Sequence, residues 1–182
     1  MLPEHGAVLL HLARGAIAEA LGGTGVDVPE AAWLHEPGAS FVTLMQAGEL
    51  RGCIGTVEAY RPLALDVILN AQATALQDYR FQPLRPEELE AVDIEVSVLS
   101  PPATLTVDTP STIYDALRPG VDGVILQVGA RRATFLPQVW AQLPDPRQFV
   151  AELLRKAGAP DAPLSLCRFQ RYTVDKLRET DF

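Results

Sequence analysis

Ser40-Phe41-Val42-Thr43-Leu44-Met45-Gln46, Ala47-Gly48 and then Leu50-Arg51-Gly52-Cys53-Ile54-Gly55-Thr56-Val57 read as two strands folded back on one another. β-Branched and apolar residues fill both arms, and the small pair Ala47-Gly48 supplies the turn. A hairpin of this kind makes the local sheet antiparallel. The second arm is oddly composed, with two glycines, a thiol and a guanidinium crowded together. Glycine inside a strand brings no packing and loses conformational entropy, so it marks a bulge or a close backbone approach. Alternation places Arg51 and Cys53 on one face, with Gly52 and Ile54 on the other. A cation beside a thiol favours the thiolate, the nucleophilic form.

Outward from the hairpin, a helix is expected over Pro3–Leu21. Val8, Leu9, Leu12, Ala16 and Ala20 recur there at three- and four-residue steps, and Gly22-Gly23 stop it. A loop runs through Pro29–Pro37. Pro62 begins a second helix carrying Val67, Ile68, Ala71 and Ala75 on one face. Asp78-Tyr79-Arg80-Phe81-Gln82-Pro83-Leu84 breaks that helix with a structured turn, and Arg85–Leu89 makes a short helical turn. In Asp93–Leu99, Ile94, Val96 and Val98 face the core while Glu95 and Ser97 face the other way.

Gly123–Val128 and Arg131–Leu136 form a second hairpin at Gly129-Ala130. Asp145 caps a helix with Pro146 at its first position, running to about Ala157 and closed by Gly158. Leu166–Thr173 is the last strand. Hairpins mixed with peripheral helices give an α+β fold, a mostly antiparallel sheet with flanking helices. Neither a repeat nor a linker divides residues 1–182, which read as one domain.

The chain has 182 residues with 48% hydrophobic content, enough for a substantial core. Its longest apolar runs, such as Ala7–Leu10, are far too short to cross a bilayer. Met1-Leu2-Pro3-Glu4-His5 lacks a basic region followed by an apolar stretch, so no signal peptide is expected and the protein reads as cytoplasmic. The formal net charge is −8, which repels phosphate backbones and argues against nucleic acid as a partner. Cys53 and Cys167 are too few and too far apart for a disulfide framework and read as free thiols.

Cys53 is either a small buried hydrophobe or a nucleophile raised above that role by Arg51 and the flanking glycines. Cys167 suits a core role. His5 and His11 lie about 120° apart around a helix, so they make no zinc pair, and no metal or cofactor is expected. His35 lies in the loop. Glu95 is ordinary if its strand face is solvated. If that face is covered, it becomes a raised-pKa acid or an ion-pair partner of Arg51 or Arg80. Asp78 and Arg80 tie their turn together, with anion binding as the alternative. Arg131-Arg132 can present a bidentate fork to a phosphate or carboxylate, although neighbouring strand residues point to opposite faces. No Gly-x-Ser-x-Gly elbow, His-Glu-x-x-His or phosphate-binding loop is present.

Several segments together resemble the AMMECR family, known in prokaryotes as AmmeMemoRadiSam system protein A. They are Phe41-Val42-Thr43-Leu44, Gly48–Thr56 with its Leu-Arg-Gly-Cys-Ile-Gly motif, Arg80-Phe81 with Pro83-Leu84, and Glu95–Leu99. Gly123–Leu126, Arg131–Trp140 and Leu143-Pro144 complete the set. The resemblance implies a larger and a smaller lobe, with the cysteine motif near the cleft between them. It also implies a modification pathway shared with a Memo-like protein and a radical SAM protein, without fixing a reaction. Carried onto this chain, it marks Cys53 and Glu95 as catalytic. Arg51, Gly52, Gly55, Arg80 and Phe81 become substrate-binding. Tyr79 departs from the smaller residue or proline that the family often has there, and is expected to narrow the cleft. Two functions follow: an enzyme or catalytic subunit with Cys53 as nucleophile, or a non-catalytic substrate-binding or adaptor module for those partners. If the chain oligomerises, a symmetric homodimer is the default.

Overall fold

The computed structural model describes residues 3–181. The chain divides into two compact units. The larger holds the N-terminal part through Leu99 and takes back the chain from Asp175 onward. The smaller is Ser100–Val174.

The larger unit opens with helix α1 (Pro3–Ala20), followed by the short helix α2 (Ala32–His35) inside the expected loop. Strands β1 (Pro37–Gln46) and β2 (Glu49–Gly55) form the expected hairpin. Ala47 and Gly48 both take positive φ, 52° and 83°, the backbone of a tight two-residue hairpin turn. A two-residue strand, β3 (Arg61–Pro62), pairs with the start of β1 and leads into helix α3 (Leu63–Leu76). Pro62 therefore stands at the cap and not at the first helical position.

A 3-10 turn over Pro86–Ala91 precedes β4 (Val92–Leu99). Strand β4 lies antiparallel to β1, with Thr43 opposite Glu95. Leu9, Leu12 and Ile17 from α1 and Val67 and Ala71 from α3 pack with Val42, Leu44, Ile94 and Val96 from the sheet. Ile94 and Val96 are buried as expected, and Val98 is half-buried against the same cluster. Ser97 is buried as well, on the face it shares with Glu95.

In the smaller unit, β5 (Ala103–Thr104) and α4 (Ile113–Ala116) precede the hairpin of β6 (Gly123–Val128) and β7 (Arg131–Phe135). Helix α5 (Pro146–Lys156) begins at Asp145, whose carboxylate accepts the N–H of Arg147 at 2.8 Å. Gly158 ends it at φ 71°. Strand β8 (Cys167–Tyr172) pairs with β6 and β5, giving the sheet order β5-β8-β6-β7. Trp140 stacks on Phe149 at 3.7 Å between ring centroids, within a core that includes Leu126, Leu153 and Phe169.

The expected final strand stops at Tyr172. A further strand, β9 (Val174–Arg178), joins the first sheet beside β4, in the order β2-β1-β4-β9. The fold is thus α+β, with two sheets whose described registers are antiparallel. Among the described residues no helix is long and apolar enough to cross a membrane.

Candidate functional site

Strand β2 is the edge of its sheet, yet its outer edge is not bare. The backbone N–H of Cys53 donates to Asp78 Oδ2 at 2.8 Å, and Arg80 Nη2 donates to the Cys53 carbonyl at 2.9 Å. Asp78 and Arg80 are themselves joined, at 2.6 and 2.9 Å. The turn after α3 therefore grips both polar groups of one peptide and does the work of a missing neighbour strand. The Arg80 side chain, with the N–H groups of Cys53 and Arg80 adding to it, outweighs burial and holds the Asp78 carboxyl well below the usual carboxylate range. Tying the turn together was one expectation for Asp78 and Arg80, and the hydrogen bonds are of that kind. Tyr79 is 95% exposed. The Arg80 guanidinium also stands 5.5 Å from the centroid of the Phe81 ring.

Because the N–H and C=O of Cys53 point outward, Cys53 and Thr43 form a non-hydrogen-bonded pair, the closer type of cross-strand neighbour. The Thr43 hydroxyl donates to Cys53 Sγ at 3.2 Å. Cys53 is half-buried. Thr43 is in turn opposite Glu95, so one row crosses the sheet as Cys53, Thr43, Glu95. Two inter-strand spacings separate its ends by about 10 Å.

Both glycines of the motif answer to close approach. A Cβ on Gly52 would lie 2.9 Å from the backbone oxygen of Thr74 in α3. Its absence lets the Thr74 hydroxyl enter the sheet, where it accepts from Ile54 N–H at 3.1 Å and has its one proton within reach of the Asn70 carbonyl at 2.7 Å and the Val42 carbonyl at 3.0 Å. A Cβ on Gly55 would meet the Phe41 ring at 2.2 Å.

Arg51 does not keep the place that alternation gives it. Leu44 pairs with Gly52 and Met45 with Leu50, so Arg51 is the extra residue of a β-bulge. Bulges re-aim side chains, and this one turns the guanidinium to Glu88 Oε1 at 3.2 Å and to the Gln82 carbonyl at 3.0 Å. The N–H of Arg85, then Arg51, lower the Glu88 carboxyl to about 2 against the opposing effect of burial.

Glu95 pairs with neither Arg51 nor Arg80. Its partners are Lys176 Nζ at 3.2 Å and Arg178 Nε at 2.8 Å, both on β9. Burial of the Glu95 carboxyl, which would raise its pKa, is outweighed by these two cations, and the net shift is downward. Glu95 is therefore a carboxylate at neutral pH and accepts hydrogen bonds or protons. That direction is opposite to the one a raised-pKa acid needs.

A second polar knot lies beneath the hairpin and has no counterpart in the sequence reading. The fully buried Asp66 accepts from Ser40 N and Oγ, Thr56 Oγ1, Arg61 Nε and Asn70 Nδ2, all between 2.6 and 2.9 Å. Those five donors compensate the burial of its charge and fasten α3 to β1. Among the described residues no three His, Cys, Asp or Glu side chains converge as a metal requires.

The fold and site define an α+β protein whose edge strand presents a backbone-clamped, half-buried cysteine. The sequence pattern of the AMMECR1 family matches residues 10–177, and the chain belongs to that family. A protein of Methanothermobacter thermautotrophicus is 39% identical, with 92% of each chain covered. Protein MK0488 of Methanopyrus kandleri is 40% identical over 86% of this chain and 79% of its own. The crystal structure of the uncharacterized protein PH0010 from Pyrococcus horikoshii superimposes with a TM-score of 0.79 at 34% identity. That match covers 95% of this chain and 90% of that one.

Proposed function

We propose that Cys53 Sγ is the nucleophile of an enzyme, or of a catalytic subunit, acting on a small molecule or a modified macromolecule. The observation that carries this is the cysteine's own setting: its peptide is gripped on both sides while its sulfur accepts a hydrogen bond from Thr43. Fixed geometry and a donor aimed at the sulfur favour negative charge developing there. In the reaction an S–C bond forms as the bond to a leaving group breaks. The leaving group departs with the electron pair, and the thiol proton passes to solvent. Glu95, ionised and one residue beyond Thr43 in the row, accepts a hydrogen bond or proton from the substrate. Arg51, anchored to Glu88, positions the bulge, while Arg80 and Phe81 border the site. The pathway is the one implied by the family resemblance, shared with a Memo-like and a radical SAM protein.

The second reading is an adaptor that presents a substrate to those partners. It is favoured by the intramolecular pairing of Arg51, Arg80 and Glu95, each of which already has an opposite charge. Alkylation of native protein across pH separates the two. Cys167 serves as internal control, since burial pushes its thiol up. A nucleophilic Cys53 labels at neutral pH at least about tenfold faster than Cys167 and loses function as Cys53→Ser with the fold intact. Equal, slow labelling together with a stable complex with the partners establishes the adaptor.

A further inference from the structure

Helix α3 has two apolar sides. The inner one packs Val67 and Ala71 into the core of the larger unit. The outer one carries Leu65, Ile68, Leu69, Gln72, Ala73 and Leu76, all exposed or half-buried. Asp66 is the single charged residue of the helix, and it is fully buried. A helix that is apolar all round is normally covered on both sides. Nine large apolar side chains are exposed among the described residues. Leu65, Leu69 and Leu76 are three of them, and Tyr60 and Tyr79, each three residues beyond an end of α3, are two more. Apolar surface gathered in this way marks an interaction site, whereas a scattered surface leucine does not.

The outer face reads the same in both directions. Leu65 and Leu76, Ile68 and Ala73, and Leu69 and Gln72 stand at equal distances on either side of the midpoint between Asn70 and Ala71. A two-fold contact needs a patch that complements itself, and an antiparallel pair of these helices provides one. It sets Leu65 against the partner's Leu76 and bulky Ile68 against the partner's Ala73. A parallel pair would set bulk on bulk and gap on gap, and would align the two helix dipoles. Near the axis the two Gln72 amides lie about 5 Å apart along the helices, and an amide can both donate to and accept from its own copy. With no charge on the face, two chains of net charge −8 meet there without like-charge repulsion. The same net charge opposes an anionic lipid surface. Each tyrosine can bury on the order of 150 Å². With the leucines, two such faces cover about 1,000 Å², the threshold for a specific interface.

We propose that the outer face of α3 is the interface of a two-fold homodimer, packed antiparallel against α3 of a second copy of this chain.

The experiment is analytical ultracentrifugation of the full chain between about 1 and 200 μM, a range that brackets a micromolar Kd. The mass is expected to rise with concentration from 19.7 kDa towards twice that value. Leu65→Glu sets a charge against the partner's Leu76 and is expected to weaken the dimer by about 100-fold. Adding Leu76→Lys pairs opposite charges across an antiparallel contact and is expected to bring the affinity back to within about tenfold of wild type. A parallel contact would instead set like on like and lose association further. Tyr79→Ser alters an exposed side chain outside the helix and is expected to weaken the dimer by about tenfold. It keeps the test open if circular dichroism shows that Leu65→Glu unfolds α3. Three outcomes overturn the proposal: a monomer throughout the range, a dimer undiminished by Leu65→Glu or by Tyr79→Ser, or a double variant weaker than Leu65→Glu alone. A monomer that floats with phosphatidylcholine vesicles overturns it too, and assigns the face to lipid.

Discussion

Asp78 Oδ2 accepts the backbone N–H of Cys53 at 2.8 Å from a turn 25 residues further along the chain. The contact makes the outer edge of β2 depend on a carboxylate that is itself held by Arg80. Removal of that carboxylate leaves a backbone N–H unpaired and frees Arg80 from its anchor. Asp78→Ala is therefore expected to destabilise the larger unit by about 2 kcal/mol, in the range of hydrogen bonds to charged groups. Arg80→Ala is expected to cost less, since its side chain is 43% exposed and water replaces part of the interaction. Urea unfolding monitored by circular dichroism measures both. An unchanged midpoint in Asp78→Ala would show that the turn does not grip the strand.

Glu88 gives the pH dependence a defined window. Its folded-state pKa, about 2, lies below the ordinary 4.5. The folded state thus binds this proton less readily than the unfolded chain. The stability contributed is fully present above about 4.5 and disappears as pH falls towards 2. Asp78 acts in the same direction. Unfolding free energies of wild type and Glu88→Gln should differ most at pH 6 and converge by pH 2. A constant gap across that range would mean that the Arg51–Glu88 pair does not stabilise the fold.

Both hairpins were legible because turn residues and a two-residue hydrophobic period coincide in them. Strand β9 was not, since its two apolar residues, Val174 and Leu177, lie three positions apart and give no two-residue period. Helices α2 and α4 have four residues each, too few for a helical repeat to register. Cys53 and the two glycines marked β2 as the candidate site. The direction of Arg51 did not follow, because a bulge depends on how the partner strand is paired. The ion pairs of Glu95 join residues more than eighty positions apart, a relationship that only the tertiary fold creates. Thr43 did not follow either, because the Ala47-Gly48 turn by itself sets it opposite Gly52 and only the bulge at Arg51 brings it opposite Cys53.

Gly52 can be tested without touching any charged group. Its side-chain position is occupied by the Thr74 carbonyl of α3, a backbone atom that cannot swing aside. Gly52→Ala forces the helix off the sheet and disturbs the Thr74 bridge, at an expected cost of about 1–3 kcal/mol. Gly48→Ala meets no atom within 4 Å but must hold φ at 83°, so its cost is backbone strain of about 1 kcal/mol. Thermal unfolding of the two variants should also differ in kind. Gly52→Ala raises the alkylation rate of Cys53 by loosening β2, and Gly48→Ala leaves it alone.

The Thr43 hydroxyl offers the sharpest separation between a reactive thiol and a packed one. Thr43→Val is nearly isosteric but removes the donor 3.2 Å from Cys53 Sγ. If that donor supports negative charge on sulfur, the variant alkylates Cys53 several-fold more slowly at neutral pH, while Cys167 in the same molecule is unaffected. Thr43→Ser retains a hydroxyl and restores most of the rate. A merely structural role predicts a different pattern, in which Thr43→Val changes unfolding stability and leaves the ratio of the two labelling rates where it was. Iodoacetamide labelling followed by intact-mass analysis reads both thiols in one experiment, so that ratio decides whether Thr43 acts on the chemistry of Cys53 or only on its packing.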